Sequence, residues 1–242
     1  MIRIFKTALI LAESFAAEFK NICKESISKS GQINIAISGG NTPKLLFEIL
    51  AEKFKDNIEW GKVNIYWTDE RCVSPDNDES NFGMTGKYLF SKIIIPKGNI
   101  HRIYGENDPA VEAVRYADEI KNNLKQGNGI PKFDLILLGM GEDGHTASIF
   151  PDQMDLLNSD NVCAVAVHPV SGQKRITLTG KVINNADKIY FLVTGKSKAE
   201  VMKEILEKKN GYLKYPAAHI QTNNNYTFWN LDKEAAGLLE QK

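Results

Sequence analysis

The sequence is poor in cysteine. Only three cysteines occur in its 242 residues, at Cys23, Cys72 and Cys163. Their odd number, their wide separation and the lack of a CxxC pattern argue against a disulfide framework and against a thiolate metal site. We therefore expect a protein of the reducing cytoplasm.

An excess of charge of one sign and long apolar runs are also missing. Lys and Arg together number 30, as do Asp and Glu, so no basic field is available for nucleic acid. The apolar stretch TALILA near the N-terminus ends at Glu13, and no run approaches the roughly 18 residues of a membrane span. These absences predict an untargeted protein whose partner is a small molecule, with neither nucleic acid nor a membrane as a partner.

Three catalytic motifs are absent as well. The four histidines form no HExxH helix and no close pair, which argues against a zinc site. No GxSxG elbow marks a serine nucleophile, and no Walker pattern marks a site for a nucleoside triphosphate. Water is therefore the expected nucleophile in any hydrolysis, and we expect neither a metal nor a cofactor.

The sequence does contain an alternation of strand and helix patterns from end to end, with 43% hydrophobic residues. Short β-rich runs predict strands near 2–5, 33–38, 63–68, 133–139, 162–167, 188–194 and 226–230. Helical periodicity predicts helices over 7–29, 43–55, 109–125 and 197–209, with shorter ones near 80–90 and 232–240. We expect one α/β domain over 1–242, a doubly wound, mostly parallel sheet with helices on both faces.

Four polar loops directly follow predicted strands. They are SGGNTP at 38–43, TDER at 68–71, GEDGHT at 141–146 and TGKSK at 194–198. In an open parallel sheet, the loops that follow the strands emerge on the carboxyl edge, where ligands bind in such folds. The sequence therefore predicts a ligand site that these loops form together.

The third loop supplies a candidate catalytic pair. Asp143 and His145 lie two residues apart across Gly144, where a tight turn can aim a general base and a carboxylate at one small volume. The alternative is that Asp143 caps a short helix beginning near His145 and that the imidazole is merely exposed.

The same loop matches GxGxxG through Gly139, Gly141 and Gly144, a pattern typical of dinucleotide folds. Pro151 would cut the following helix short, however. A dinucleotide site needs a long helix that presents its positive end to a pyrophosphate. The match is therefore weak support for a dinucleotide site.

The first loop suits a phosphate. Its residues are Ser38, Gly39, Gly40, Asn41, Thr42 and Pro43. We expect Thr42 to be a helix N-cap and Pro43 the first helical residue, so that the N–H groups left free at this end cradle a phosphate. The alternative is a tight strand-to-helix turn with no ligand.

Three cations lie in or near the loops. Arg71 suits a phosphate because its planar guanidinium makes paired, charge-assisted hydrogen bonds. Lys198 lies at a predicted helix start, where a cation is unfavourable unless an anion is also bound, and Arg175 in KRITLT is one more candidate. Asp69 is either a second carboxylate near the histidine or the partner of Arg71 in a surface ion pair.

At this point the motifs resemble those of a known family. SGGNTP, DERCV followed by Ser80 and Asn81, GMGEDGHTASIFP, KRITLT and TGKSKA are similar, in the same order, to segments of the 6-phosphogluconolactonases. The resemblance covers nearly the whole chain. It implies hydrolysis of 6-phospho-D-glucono-1,5-lactone to 6-phosphogluconate in the oxidative pentose phosphate pathway, by a cofactor-free monomer or weak homodimer.

The resemblance also implies roles for the candidate residues. His145 would be the general base that activates water, and Asp143 and Asp69 would orient the imidazole or the water. The remaining candidates would hold the 6-phosphate or the negative charge of the intermediate, and they are Ser38, Gly39, Gly40, Asn41, Thr42, Arg71, Arg175 and Lys198. Which cation contacts which group stays open.

Two other functions compete with the lactonase. Glucosamine-6-phosphate deaminases share the implied fold, but they carry a glutamate where this chain has Phe150, and phenylalanine cannot accept a proton. A non-catalytic sugar-phosphate sensor would need a DNA-binding segment, and the first predicted strand begins at Ile2. Both alternatives are disfavoured on these residues.

Overall fold

The computed structural model describes residues 1–127 and 129–240. Within them the strands are β1 (Ile2–Phe5), β2 (Ile33–Ile37), β3 (Val63–Trp67), β4 (Asp69–Arg71), β5 (Ile100–His101), β6 (Gln126–Gly127), β7 (Ile130–Pro131), β8 (Leu135–Leu138), β9 (Cys163–Val167), β10 (Lys174–Leu178), β11 (Ile189–Val193) and β12 (Thr227–Asp232). The α-helices there are α1 (Ala8–Ser30), α2 (Asn41–Lys53), α3 (Asn81–Thr85), α4 (Pro109–Asn123), α5 (Gly180–Asn184) and α6 (Ala199–Glu207).

A parallel sheet of seven strands forms the centre, in the order β1-β12-β11-β8-β2-β3-β5. Every residue of β8 and β11 is buried, as expected for strands that are covered on both faces. Helix α1 packs against α2 and against β2 and β12. The predicted fold class, a mostly parallel sheet flanked by helices, is confirmed.

Local signals explain where the long helices begin. The hydroxyl of Thr7 accepts a hydrogen bond from the Ile10 N–H at the start of α1. The Asp108 carboxylate accepts from the N–H groups of Ala110 and Val111 at the start of α4, where Pro109 is the first residue. These side chains satisfy N–H groups that a helix leaves unpaired at its first turn.

Aromatic pairs lock β11 to β12. Phe191 and Trp229 are register partners whose rings stack at 3.8 Å, and Tyr190 and Phe228 stack at 4.4 Å. Each such pair typically adds about 0.5–1.5 kcal/mol beyond the area it buries. The register of these two strands is therefore set by large side chains on each face of the sheet.

The predicted strand at 162–167 exists as β9, but its placement in the parallel sheet is wrong. It belongs to a second, antiparallel sheet with the order β4-β10-β9. The seventh parallel strand is instead β5, which two residues form and which no apolar run marks. The position of so short a strand, flanked by polar residues, is set by its pairing with β3 and cannot be read from its own composition.

The chain passes from one sheet to the other at Thr68, the residue between β3 and β4. Its N–H donates to the Ile37 carbonyl of the parallel sheet at 2.8 Å. Its carbonyl accepts from the Leu178 N–H of the antiparallel sheet at 2.7 Å. Thr68 is fully buried, so the two sheets are joined rigidly at this point.

The helix predicted near 232–240 is not formed, nor is the helix near His145 that the alternative for Asp143 requires. Residues 233–239 after β12 form turns, because the Asp232 carboxylate accepts from the Ala235 N–H and ends the strand with a local turn. Residues 142–150 contain turns and one isolated bridge between Thr146 and Ile149, so no helix begins near His145. Asp143 is therefore not a helix cap.

No helix in the described residues combines the length and the apolar character that crossing a membrane requires. The single domain over 1–242 stays a prediction, and its last two residues lie outside the part of the chain that the structure describes.

Tyr116 of α4 completes the hydrogen bonding of β3. Edge strand β5 pairs only with Ile65 and Tyr66, so Trp67 extends beyond it. The buried Tyr116 hydroxyl accepts from the Trp67 N–H at 2.9 Å and donates to the Trp67 carbonyl at 3.0 Å. A side chain therefore replaces the missing strand residue just before the sheet junction.

Tyr116→Phe should lower the free energy of unfolding by about 1–3 kcal/mol, because it leaves buried Trp67 backbone groups without a partner. Tyr226→Phe, which alters a side chain that is 48% exposed, is the control and should change stability by less than about 0.5 kcal/mol. Urea unfolding of both variants measures the difference. Equal stability of the two would contradict the bridging role of Tyr116.

Candidate active site

An open cleft of about 420 Å³ lies at the carboxyl edge of the parallel sheet, where the four polar loops meet. Ten of the eleven predicted site residues line this cleft. The exception is Asp143, which contacts His145 instead. The expectation that strand ends bring these loops together is confirmed as geometry, while the roles of the residues stay predictions.

His145 and Asp143 form a hydrogen-bonded pair. The imidazole Nδ1 and the carboxylate Oδ1 are 2.6 Å apart, and the same oxygen accepts from the His145 backbone N–H at 3.1 Å. Because a carboxylate accepts, Nδ1 carries the proton, and the lone pair of a neutral imidazole is then on Nε2. Burial alone would raise the pKa of the Asp143 carboxyl, but the hydrogen bond and charge of His145 outweigh burial and lower it.

Gly141 makes room for this pair. A Cβ at residue 141 would lie 2.1 Å from His145 Nδ1 and 2.5 Å from Asp143 Oδ1. Gly144, with φ 76°, allows the tight turn and would clash with Tyr215 if it had a Cβ. Gly141 therefore leaves room for the imidazole and its carboxylate partner, and Gly144 leaves room for Tyr215.

The ring of Phe150 packs against the imidazole of His145. Its ring is fully buried, and its centroid lies 4.8 Å from that of His145. The Phe150 ring also lies near the His168 ring, with centroids 5.3 Å apart, and its centroid is 5.6 Å from the Arg175 guanidinium. An apolar side chain thus occupies the space beside the imidazole.

Asp69 lies in the cleft wall and is buried, with 5% exposure. Its Oδ2 accepts a hydrogen bond from Ser148 Oγ at 2.7 Å. Among the described residues, no ion pair joins Asp69 to Arg71, so the surface ion-pair alternative is wrong. No hydrogen bond joins Asp69 to His145 either in that part of the chain, so its role near the imidazole stays a prediction.

Two arginines lie next to each other on neighbouring strands of the antiparallel sheet. Arg71 and Arg175 are register partners in β4 and β10, and both line the cleft. The Nε atom of each is buried without a hydrogen-bond partner. Within residues 1–127 and 129–240, Arg175 donates no side-chain hydrogen bond, whereas Arg71 Nη1 donates to the Glu79 carbonyl. Burial lowers the pKa of Arg175.

This arrangement is typical of an anion site. Like charges in cross-strand register repel each other, and buried Nε atoms without hydrogen-bond partners lose hydration. A bound phosphate would relieve both effects, because guanidinium forks match phosphate oxygens.

Lys198 is the third cation at the cleft. Its side chain is 19% exposed, and its Nζ lies 3.9 Å from Glu142 Oε1. Burial lowers the pKa of Lys198, although Glu142 and Asp143 act in the opposite direction. Both carboxylate oxygens of Asp232 accept from the Gly195 N–H at 3.1 Å, which holds the start of the Lys198 loop.

The SGGNTP loop differs in detail from its prediction. Gly40, with φ 108°, is the N-cap of α2, which begins at Asn41. Thr42 is therefore not the N-cap, and its hydroxyl bonds Thr194 Oγ1 at 2.8 Å across the cleft. The Ser38 hydroxyl is already engaged, since it donates to the Leu137 carbonyl at 2.8 Å. Its proton is therefore not free for an anionic ligand.

Several cleft residues were given no role by sequence reasoning. They are Asn81, Glu142, Thr146, Ala147, Thr194 and Ser197. The TGKSK motif contained the last two, so its small polar residues were an available signal. Ala147 has a left-handed backbone, with φ 49°, which no residue type announces. In the described part of the chain, no three His, Cys, Asp or Glu side chains are grouped as a metal site requires.

Comparison with known proteins matches residues 6–229 to the family of glucosamine-6-phosphate isomerases/6-phosphogluconolactonase. The 6-phosphogluconolactonase of Aggregatibacter actinomycetemcomitans is 44% identical over 236 residues, 97% of this chain and 98% of that protein. The crystal structure of the devB protein has a TM-score of 0.92 at 43% identity and covers 99% of this chain and 100% of that one. Thermotoga maritima 6-phosphogluconolactonase has a TM-score of 0.84 at 29% identity, with coverage of 96% and 99%.

Gly141→Ala should reduce catalytic activity at least about 100-fold, because the added Cβ would displace His145, the predicted general base, and such a base contributes about 10²–10⁴-fold. Gly61→Ala is the control, because a Cβ there meets no atom within 4 Å. Activity and thermal unfolding of both variants separate a displaced imidazole from a lost fold. Full activity of folded Gly141→Ala would contradict the crowding at this position.

Proposed function

Because the chain belongs to the family of glucosamine-6-phosphate isomerases and 6-phosphogluconolactonases, we propose that it hydrolyses 6-phospho-D-glucono-1,5-lactone to 6-phosphogluconate in the oxidative pentose phosphate pathway. One observation carries this proposal above the others. A carboxylate-held imidazole opens on a cleft that also contains two arginines without salt-bridge partners in the described residues. A base for water and an anchor for a phosphate are what this reaction needs.

Phe150 separates the lactonase from the deaminase within the family. Aldose–ketose isomerisation and deamination need a group beside the histidine that can take or orient a proton. At the position where the deaminases carry a glutamate in addition to the histidine, this chain has the buried ring of Phe150, 4.8 Å from the imidazole. Lactone hydrolysis needs only one base and a water, so this site suits it better.

His145 acts as the general base in the proposed mechanism. Its Nε2 takes a proton from a water as the water oxygen bonds to C1 of the lactone. The bond between C1 and the ring oxygen then breaks, and the imidazolium returns the proton to that oxygen. Asp143 holds the ring in the required tautomer and stabilises its charged form, while Asp69 orients the water.

The cations stabilise negative charge at two places. The 6-phosphate binds to Arg175, whose guanidinium has no hydrogen bond within the described residues, with Arg71 and Lys198 completing the anion site. Backbone N–H groups of Gly39, Gly40, Asn41 and Thr42 line the same cleft and are suited to anionic oxygens. Remote binding energy from the phosphate orients C1 over the base.

The proposed setting is the cytoplasm, since all three cysteines are free. The proposed partner is the phosphorylated lactone, with no nucleic acid. A monomer or weak homodimer stays a prediction that sedimentation tests.

The direct test is a stopped assay of freshly generated 6-phosphogluconolactone against its spontaneous hydrolysis, with glucosamine 6-phosphate in parallel. We expect lactone opening above the spontaneous rate and no ammonia release. Ammonia release without lactone opening would replace the lactonase with the deaminase.

His145→Ala should lower kcat by about 10²–10⁴-fold, because it removes the base that activates water. His219→Ala is the matched control, since the His219 imidazole hydrogen-bonds the Leu213 carbonyl and does not line the cleft. Steady-state kinetics on both folded variants measures the effect. Near-normal kcat in His145→Ala would refute the assignment of the base.

Arg175→Ala should lower kcat/KM for the phosphorylated lactone about 10–100-fold, as expected for a charge-assisted hydrogen bond of about 1.5–3 kcal/mol. Unphosphorylated gluconolactone should be affected far less, because it has no phosphate to lose. Lys196→Ala, a nearby cation that does not line the cleft, is the control. Equal losses on the two lactones would remove Arg175 from the phosphate site.

A further inference from the structure

Asn81 is a cleft residue without a role in the mechanism above. It is the first residue of α3, lines the cleft and is only 3% exposed. A buried asparagine usually has both of its amide groups hydrogen-bonded. A hydrogen-bonding group of Asn81 that has no protein partner therefore indicates which kind of ligand atom binds in the cleft.

The orientation of the Asn81 amide is fixed. Its Nδ2 donates to the Asp69 carbonyl at 2.9 Å, so its Oδ1 is the atom on the other side. Oδ1 lies against Gly39, where a Cβ would be only 1.7 Å away. Among the described residues no donor reaches Oδ1. Unlike the Nε atoms of Arg71 and Arg175, however, Oδ1 is not fully buried from solvent.

The buried carboxylate of Glu70 holds this asparagine rigidly. It accepts from the backbone N–H groups of Asn81 and Phe82, each at 2.8 Å, and from Ser80 Oγ at 3.1 Å. Burial raises the pKa of Glu70, and the backbone hydrogen bonds oppose this rise. The carbonyl oxygen of Asn81 is thus a preorganised acceptor.

The chemistry of an amide oxygen selects its ligand. It cannot bind an ionised phosphate, which offers only acceptors, so the anion belongs with the arginines. It can accept from a hydroxyl, and the lactone carries hydroxyls on C2, C3 and C4. We propose that Asn81 Oδ1 accepts a hydrogen bond from one ring hydroxyl of the bound lactone and is a specificity-determining residue. This inference rests on the proposed lactonase function.

Deoxy lactones test the proposal. The wild-type protein is assayed on 6-phosphogluconolactone and on its 2-, 3- and 4-deoxy forms, each phosphorylated at C6. We expect kcat/KM to fall about tenfold for one deoxy lactone, the size of one net hydrogen bond of about 1–1.5 kcal/mol. Equal rates on all four lactones would overturn the inference. Failure to accelerate any of them would instead refute the proposed function.

Variants then locate the effect. Asn81→Ala and Asn81→Ser should lose about tenfold on the parent lactone and nothing further on the one deoxy lactone that the wild type discriminates against. Asn185→Ala is the matched control, because Asn185 Nδ2 also donates to backbone carbonyls, those of Ile130 and Pro131, away from the cleft. It should lower thermal stability and leave the selectivity unchanged. Equal losses on all lactones for both Asn81 variants would reduce Asn81 to a structural role.

Discussion

The joining of two sheets at Thr68 is the constraint on which the cleft depends. Its backbone N–H and carbonyl are each committed to a different sheet, and its side chain bonds Ser38 Oγ at 2.7 Å. Asp69, Glu70 and Arg71 follow directly, so their positions relative to the parallel strands are fixed by one buried residue. The proposed anion-binding side of the cleft is therefore tied through Ser38 to the Leu137 carbonyl of β8, the strand that leads to the loop bearing the histidine.

The two sides of the cleft are built in different ways. The side with the proposed base is local, because Gly141, Asp143, His145 and Phe150 belong to one short loop whose backbone and packing set the imidazole. The side with the proposed phosphate anchor is assembled from distant segments, since Arg71 lies in β4 and Arg175 in β10. Local construction suits an atom that must be placed accurately, since a small misplacement of a base costs much of its effect.

The sequence was sufficient to predict those parts of the fold and of the cleft that depend on where the parallel strands end. Continuous apolar runs such as LILL and IYFLV identified buried parallel strands, and their polar followers had to meet at one edge. It missed β5 and the second sheet, because strand alternation does not reveal which sheet a strand joins. It gave Asn81 no role of its own, because the contact with Gly39 arises only when two loops meet in three dimensions.

The facing arginines have one more consequence. Arg71 and Arg175 hold neighbouring strands of a small sheet at a point where their charges oppose the pairing. An anion bound between them would attract both guanidinium groups and so offset their repulsion. Any ligand that binds only the folded state raises the free energy of unfolding by RT ln(1 + [L]/Kd). In the proposed complex the phosphate of the substrate therefore also stabilises the pairing of these two strands, and this stabilisation is lost each time product leaves.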